Sequence, residues 1–169
     1  MDNLKSKHLG EVIVGYEVNG GFLLDSEARV NNRPLMPLPT RDAILPMLAL
    51  LGLSEENKRP VSQLTESLPK RYTASDRIQD ISTDASHQLI ASLIDNPEAM
   101  IDMLLPNATH VLTLDQTDGL RVEFDTGDIV HLRPSGNAPE LRCYAESNVH
   151  NQAAKICTSC INRIEKSLK

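Results

Sequence analysis

Alternation between apolar and polar residues is clearest in the second half of the chain, in the stretch THVLTLDQTDGLRVEFDTGDIVHLRPSGNAPELRCYAES. Short β-rich runs there are separated by Thr117 to Gly119, by Asp125 to Asp128 and by a Ser-Gly-Asn turn. Asp-Gly and Thr-Gly between alternating runs are hairpin signals. The pattern therefore predicts a four-stranded antiparallel sheet.

Helical periodicity flanks these strands on both sides. Residues Thr83 to Ile94 precede the strands, and residues Val149 to Leu168 follow them. The second of these segments places seven apolar side chains on one helical face: Ala153, Ile156, Cys157, Cys160, Ile161, Ile164 and Leu168. Helices on one face of an antiparallel sheet make an α+β layer domain, which is the fold class that the sequence predicts.

The first half of the chain has shorter apolar runs. The stretch EVIVGYEVNGGFLLDSE predicts a short apolar strand, a loop at Asn19 to Gly21 and then a second short apolar segment. The paired glycines of the loop permit positive φ. A helix is expected from about Arg41 to Leu51, capped by Thr40 and ended by Gly52.

A polar, proline-bounded segment separates the two halves. The stretch RPVSQLTESLP predicts a short helix between Pro60 and Pro69. Beyond it the pattern changes to the alternating strands. We therefore expect a boundary near Ser67 to Tyr72, with one domain at 1–70 and another at 71–169.

Composition and charge reduce the number of functional classes to which the protein could belong. A net charge of −6 argues against broad nucleic-acid binding, and no apolar run approaches the roughly 18 residues of a membrane span. Nothing near Met1 resembles a signal peptide, so a cytoplasmic location is expected. The Cys157-Thr-Ser-Cys160 spacing has no second pair and lies within a helical pattern, so we interpret the cysteines as buried structural thiols.

The Ser-Gly-Asn turn brings several hydrogen-bond donors between two predicted strands. Arg133 ends the incoming strand and Arg142 begins the outgoing one. Gly136 lets backbone N–H groups form a concave nest, while Ser135 and Asn137 add short side-chain donors. Guanidinium forks match phosphate oxygens in bidentate geometry. On this interpretation, the turn binds the dianion of a phosphate monoester.

A structural interpretation of the same turn remains open. The segment would then be only a tight connection between strands, with its two arginines paired to nearby carboxylates such as Glu140. The residue types alone favour neither interpretation.

Two stretches resemble one known family. RPSGNAPELRCYAES resembles the phosphate-binding loop of the phosphohexomutases, the phosphomannomutase and phosphoglucomutase family, whose usual form is close to Arg-Pro-Ser-Gly-Thr-Glu-Pro-x-x-Arg. Here Asn137 and Ala138 replace the Thr-Glu pair. GYEVNGGFL resembles the family's sugar-recognition loop, commonly Gly-Glu-x-Ser-Gly-His. Glu17 matches the glutamate that binds sugar hydroxyls, Asn19 takes the place of the serine, and Gly21 that of the histidine.

The resemblance implies the end of an α/β third domain followed by a complete C-terminal fourth domain. The intact enzyme would interconvert hexose 6-phosphate and hexose 1-phosphate, using a phosphoserine, Mg²⁺ and a hexose 1,6-bisphosphate intermediate. The implied sugar-binding residues are Glu17, Asn19 and Gly20, and the implied phosphate-binding residues are Arg133, Ser135, Gly136, Asn137 and Arg142.

The family's catalytic motifs do not occur in this sequence. These are a Thr-Ala-Ser-His-Asn-Pro serine loop and an Asp-Gly-Asp-x-Asp-Arg metal loop. Thr73 to Asp76 begins like the serine loop but lies in the expected interdomain stretch, and Asp125 to Asp128 is interpreted as a solvated turn. Phosphoryl transfer depends on positioning and on a metal. The chain is therefore expected to bind substrate without catalysing the reaction alone.

The expected partners follow from this interpretation: a phosphosugar, N-terminal domains missing from this chain, and another copy through an unpaired sheet edge. Neither nucleic acid nor membrane is expected. The stretches NGGFL and LPKRYTASDRI favour mannose over glucose by resemblance. The alternatives are a stand-alone phosphate-binding or phosphosugar-binding module without catalysis, and, more weakly, an assembly element.

Overall fold

The computed structural model describes residues 11–17, 21–38 and 40–168. The chain divides into an N-terminal unit, Met1–Leu68, and a C-terminal unit, Pro69–Lys169. Two-stranded sheets occur in the described part of the first unit, and a five-stranded sheet occurs in the second.

Two hairpins form the described sheets of the N-terminal unit. Strands β1 (Val14–Tyr16) and β2 (Phe22–Leu24) pair antiparallel. Strand β1 confirms the predicted strand, and β2 forms within the second apolar segment. Strands β3 (Ala28–Val30) and β4 (Arg33–Leu35) pair in the same way. The turn between β3 and β4 consists of two asparagines with positive φ, a conformation that asparagine tolerates and that suits a two-residue hairpin.

Helix α1 spans Ile44–Asn57, so the expected bounds of this helix were wrong. Asp42, not Thr40, caps its start, because the Asp42 carboxylate accepts the Ile44 N–H at 2.7 Å. Gly52 lies inside the helix, where a glycine costs about 1 kcal/mol and does not by itself end the element. The helix ends at Lys58, whose φ of 52° is left-handed.

The predicted short helix between two prolines is also present. Helix α2 covers Val61–Leu64, and one 3₁₀ turn follows at Thr65–Ser67.

The apolar face of α1 is not covered in the described structure. No described residue of this helix is buried, and Ile44, Leu48 and Leu51 are 64%, 59% and 59% exposed. In the described part of this unit, only Ile13 and Leu24 are buried apolar residues. Among the residues that the structure describes, apolar side chains of this helix are therefore exposed although its sequence is typical of a packed helix.

The C-terminal unit contains a five-stranded antiparallel sheet. The strands are β5 (Tyr72–Gln79), β6 (Val111–Asp115), β7 (Leu120–Phe124), β8 (Ile129–Pro134) and β9 (Glu140–Ser147). Their order in the sheet is β5-β9-β8-β7-β6. The four consecutive strands β6 to β9 are the predicted ones. The prediction of a four-stranded sheet was nevertheless wrong, because β5 adds a fifth strand beside β9.

Strand β5 was overlooked because it is a polar edge strand. Only Ile78 of its eight residues is buried, so the alternation that identifies a half-buried strand is weak. Thr73 to Asp76 consequently lies within this strand, not in an interdomain stretch.

Three helices complete this unit. Helix α3 (Thr83–Asp95) is close to its predicted position, and Ser82 caps it by accepting the Ala85 N–H. Helix α4 (Pro97–Leu104) was not predicted, and helix α5 spans Gln152–Ser167. Helix α5 packs on β5 and β9, and α3 contacts β8 and β9. The mixed α+β class is confirmed. No helix in the described ranges is long and apolar enough to cross a membrane.

The core of this unit lies between the sheet and its helices. The predicted α5 face is buried as expected, except that Leu168 beyond the end of the helix is exposed. Cys143, Cys157 and Cys160 are buried and free, which confirms their interpretation as buried thiols. Hydrogen bonding from Cys157, together with burial, raises the pKa of the Cys143 thiol. This thiol is therefore held in its neutral form.

Candidate phosphate-binding site

The loop between β8 and β9 is fixed at both ends by backbone hydrogen bonds. Ser135 N–H donates to the Glu140 carbonyl at 3.0 Å, and Glu140 N–H donates to the Ala138 carbonyl at 2.8 Å. From the end of β5, Ile81 N–H donates to the Pro139 carbonyl at 3.2 Å. The loop is therefore an anchored connection at one end of the sheet.

The middle of this loop faces open space. Gly136 and Asn137 are exposed, whereas Ser135 is buried and its hydroxyl accepts the Asn137 N–H at 3.4 Å. The φ of Gly136 is not positive, and a Cβ added there would meet no atom within 4 Å. Neither backbone conformation nor crowding within the chain therefore requires a glycine at 136.

Two predicted arginines lie side by side next to the loop. Arg133 of β8 and Arg142 of β9 are direct cross-strand partners, so their side chains leave the same face of the sheet. Arg133 Nε lies 2.8 Å from Asp118 Oδ2, and the hydrogen bond with Asp118 raises the pKa of Arg133. Arg133 thus has a carboxylate partner in the free chain.

Arg142 is held by the carboxylate of Glu140. Its Nε and Nη2 atoms donate to Glu140 Oε1 at 2.8 and 2.7 Å. Because these bonds use one edge of the guanidinium, the donors at its Nη1 end point in a different direction. This pairing is the one that the structural interpretation expected. It also orients Arg142 beside the loop.

A third arginine binds the same carboxylate. Arg77 of β5 is the direct cross-strand partner of Arg142, and its Nη1 donates to Glu140 Oε2 at 3.0 Å. The hydrogen bond with Arg142, followed by the charges of Arg142 and Arg77, lowers the pKa of Glu140 below its ordinary value of 4.5. Arg77 and Asp118 are absent from the residues predicted from sequence, because their positions depend on strand register and on a neighbouring turn.

The predicted sugar loop lies in the N-terminal unit, at the end of β1. Glu17 N–H donates to the Gly21 carbonyl at 2.9 Å, which closes the loop. The Glu17 carboxylate lies 2.8 Å from Arg41 Nη1. Asn19 and Gly20 lie outside the described residues. The structure therefore brings the five predicted phosphate-binding residues together at one loop, while Glu17 belongs to the other unit.

Asp125 to Asp128 forms the turn between β7 and β8. The Asp125 carboxylate accepts the Thr109 N–H at 3.1 Å, and hydrogen bonding from Thr109 lowers the pKa of Asp125. Gly127 has a φ of 77°, as a tight turn requires. Among the described residues, no cluster of three or more histidine, cysteine, aspartate or glutamate side chains could hold a metal ion.

These features define an α+β domain with a glycine-containing loop beside two paired arginines at one end of its sheet. Residues 59–162 match the family description "Phosphoglucomutase/phosphomannomutase, C-terminal domain". Residues 1–72 match "Phosphoglucomutase/phosphomannomutase, alpha/beta/alpha domain III". The chain belongs to the phosphoglucomutase/phosphomannomutase family.

Two relatives are named phosphomannomutase. The protein from Salmonella muenchen is 46% identical over 156 residues, which are 92% of this chain and 32% of the relative. The protein from Sinorhizobium fredii is 40% identical over 136 residues, which are 80% of this chain and 28% of the relative. The chain therefore spans about a third of the length of the curated relatives that it matches.

Proposed function

We propose that this chain is the substrate-binding C-terminal portion of a phosphohexomutase that interconverts hexose 6-phosphate and hexose 1-phosphate. The observation that carries the proposal is the open loop at Gly136, bordered by the paired Arg133 and Arg142, in a chain whose two halves match two consecutive domains of this family. The proposed domains are 1–70 and 71–169.

The proposed phosphate site is the loop with its two flanking arginines. The Gly136 N–H would donate to the phosphate oxygens, and so would the Asn137 N–H once it leaves its 3.4 Å bond to the Ser135 hydroxyl. The guanidinium groups of Arg133 and Arg142 would add charge-assisted bonds. Asp118, the partner of Arg133, is 61% exposed. Turning the Asp118 carboxylate away from Arg133 into water therefore costs little free energy. Arg133 then becomes available to a phosphate dianion.

The proposed sugar site uses Glu17, with Asn19 and Gly20 following the family resemblance. A carboxylate has four lone-pair positions and can accept hydrogen bonds from two neighbouring hydroxyls. The ion pair with Arg41, at 2.8 Å, restricts the rotamers of the Glu17 side chain. The preference for mannose over glucose remains a prediction from the resemblance.

The open apolar face of α1 supports a longer protein over a stand-alone binding module. A stand-alone protein is more stable when such side chains are buried. Exposed apolar patches therefore mark surfaces that contact another part of a protein or a partner. We therefore propose that the nucleophile lies in a part of the longer protein that this chain does not cover.

Phosphoryl transfer also needs a metal to neutralise charge. The described residues do not fit Mg²⁺, so no step is assigned to a metal on this chain. Cytoplasmic location, a hexose 1,6-bisphosphate intermediate and self-association remain predictions.

Phosphate binding by the 169-residue chain tests the proposal. We expect inorganic phosphate and mannose 1-phosphate to shift the backbone amide signals of Gly136 and Asn137 in NMR titrations. The substitution Arg133→Ala should weaken binding about ten- to hundredfold, because it removes charge-assisted hydrogen bonds.

Arg121→Ala is the matched control. Arg121 lies on the same sheet face but is 3.7 Å from Glu146, away from the loop. It should change affinity less than about twofold. Equal losses of phosphate affinity in Arg133→Ala and Arg121→Ala would show that binding depends only on the overall positive charge. Unchanged binding in Arg133→Ala would establish the loop as a structural turn.

A further inference from the structure

Three arginines stand in one row across three adjacent strands. Arg77 of β5 pairs with Arg142 of β9, and Arg142 pairs with Arg133 of β8. Directly opposite residues share a sheet face, and neighbouring strands lie about 4.8 Å apart. Like charges placed directly opposite destabilise a sheet. A row of this kind therefore needs either neutralising carboxylates or an anionic ligand.

The carboxylates beside the row do not neutralise it completely. Glu140 is shared between Arg77 and Arg142, and Asp118 pairs with Arg133. Three guanidinium charges thus face two carboxylates, which leaves an excess of one positive charge within the row and its direct partners. The chain as a whole carries a net charge of −6. This local excess of positive charge favours an anion.

Arg77 is the most exposed member of the row. Its side chain is 56% exposed, while the Glu140 carboxylate that it touches is only 7% exposed. Its hydrogen bond to Glu140 uses Nη1, one of the three nitrogen atoms of a guanidinium that carries five N–H donors. Arg77 can therefore keep its place beside Glu140 and present other donors to a ligand over Arg142.

We propose that Arg77 is a third phosphate-binding arginine, which extends the loop site across β9 onto the edge strand β5. The proposal rests on the proposed function, because it assumes that phosphate binds at the loop. A phosphate monoester dianion has three terminal oxygens. These can be shared among the loop N–H groups and the three guanidinium groups. The site would therefore favour phosphate dianions over singly charged carboxylates.

The test is the affinity of the full 169-residue chain for inorganic phosphate, measured by calorimetry for the wild type, Arg77→Gln and Arg121→Gln. Glutamine removes the charge and keeps two of the three methylene groups of arginine, and both arginines are partly exposed on the same sheet face. We expect Arg77→Gln to lose roughly tenfold in affinity and Arg121→Gln to lose less than about twofold. Equal affinities of Arg77→Gln and wild type would overturn the proposal.

A second comparison distinguishes direct binding from neutralisation of Glu140. The effect of Arg77→Gln is measured again in a Glu140→Gln background, where no charge on residue 140 needs an arginine. Direct contact predicts that the loss persists in this background. A loss that disappears there would show that Arg77 acts only through Glu140, and the proposal would be wrong.

Failure of this inference is separable from failure of the proposed function. If the wild type binds phosphate and Arg133→Ala weakens this binding while Arg77→Gln does not, only the role of Arg77 is refuted. If the wild type does not bind phosphate, the proposed function fails, and the role of Arg77 fails with it. Amide spectra of each variant establish that the fold is retained.

Discussion

Two glycine-containing turns at neighbouring positions of the C-terminal sheet use glycine for different reasons. Gly119, between β6 and β7, has a φ of 90°, and a Cβ there would lie 2.2 Å from the Leu132 carbonyl oxygen. Gly136, between β8 and β9, has neither a positive φ nor any atom within 4 Å of an added Cβ. The first glycine is required by the fold, whereas the second is not.

The surroundings of the two turns differ in the same way. In the first, the Asp118 carbonyl lies 2.6 Å from His131 Nε2, and the Asp118 carboxylate binds Arg133. In the second, the exposed residues Gly136 and Asn137 face solvent beside the arginine row. Glycine with open space around it is what close approach of a ligand to the backbone needs. The comparison therefore indicates that the fold requires glycine at 119, whereas Gly136 leaves room for the proposed ligand.

The largest expected effect is the destabilisation caused by Gly119→Ala. The substitution places a methyl group against a backbone carbonyl and forces a non-glycine residue into positive φ, so we expect a loss of about 3 kcal/mol in the free energy of unfolding. Urea denaturation measures it. Gly127→Ala is the control for φ alone, because its φ is 77° and the nearest atom is a side-chain nitrogen at 3.6 Å. It should cost about 1 kcal/mol. If Gly119→Ala destabilises the chain no more than Gly127→Ala does, crowding against the Leu132 carbonyl is not what requires glycine at 119.

A smaller effect, on binding only, is expected for Gly136→Ala. The added methyl group meets nothing in the free chain, so the free energy of unfolding should change by less than about 0.5 kcal/mol. Where phosphate lies against the backbone, the methyl group should weaken its binding roughly tenfold. Denaturation and phosphate titration of the same sample measure both quantities. Unchanged phosphate affinity would place the ligand away from Gly136.

Local signals explain how much of the fold could be predicted. Strands β6 to β9 were predicted because their turns and alternation are encoded within a few residues, and α5 because its buried face repeats regularly. Helix α4 had local signals too. Asn96 caps it and Pro97 occupies its first turn, a combination typical of a helix start. It could have been found.

Strand β5 and its arginine could not be predicted locally. Arg77 lies beside Arg142 only because β5 pairs with β9, and these two residues are 65 positions apart in the chain. Most side chains of β5 are polar or exposed. Backbone hydrogen bonds to β9 hold the strand in the sheet, and these leave no pattern in the local sequence. The loop residues Ser135, Gly136 and Asn137 were found from sequence because they are contiguous. The partners Asp118 and Arg77 required the register of the folded sheet.

The smallest expected effect is the pH dependence of the stability that the ion pairs of Glu140 provide. Hydrogen bonding and charge from Arg142, and then the charge of Arg77, lower the pKa of Glu140 below 4.5. A carboxyl whose pKa is lower in the folded chain than in the unfolded chain adds stability that is complete above 4.5 and is lost as pH falls through the folded pKa. The difference in unfolding free energy between the wild type and Glu140→Gln should therefore be constant near neutral pH and shrink below 4.5.

Thermal unfolding of both chains between about pH 7 and about pH 3 measures this difference. Glu165→Gln, which removes one exposed carboxylate from α5, controls for net charge. A difference that is equally large at both ends of this range would show that Glu140 stabilises the sheet end without its charge, and the ion pairs with Arg77 and Arg142 would then not be the cause.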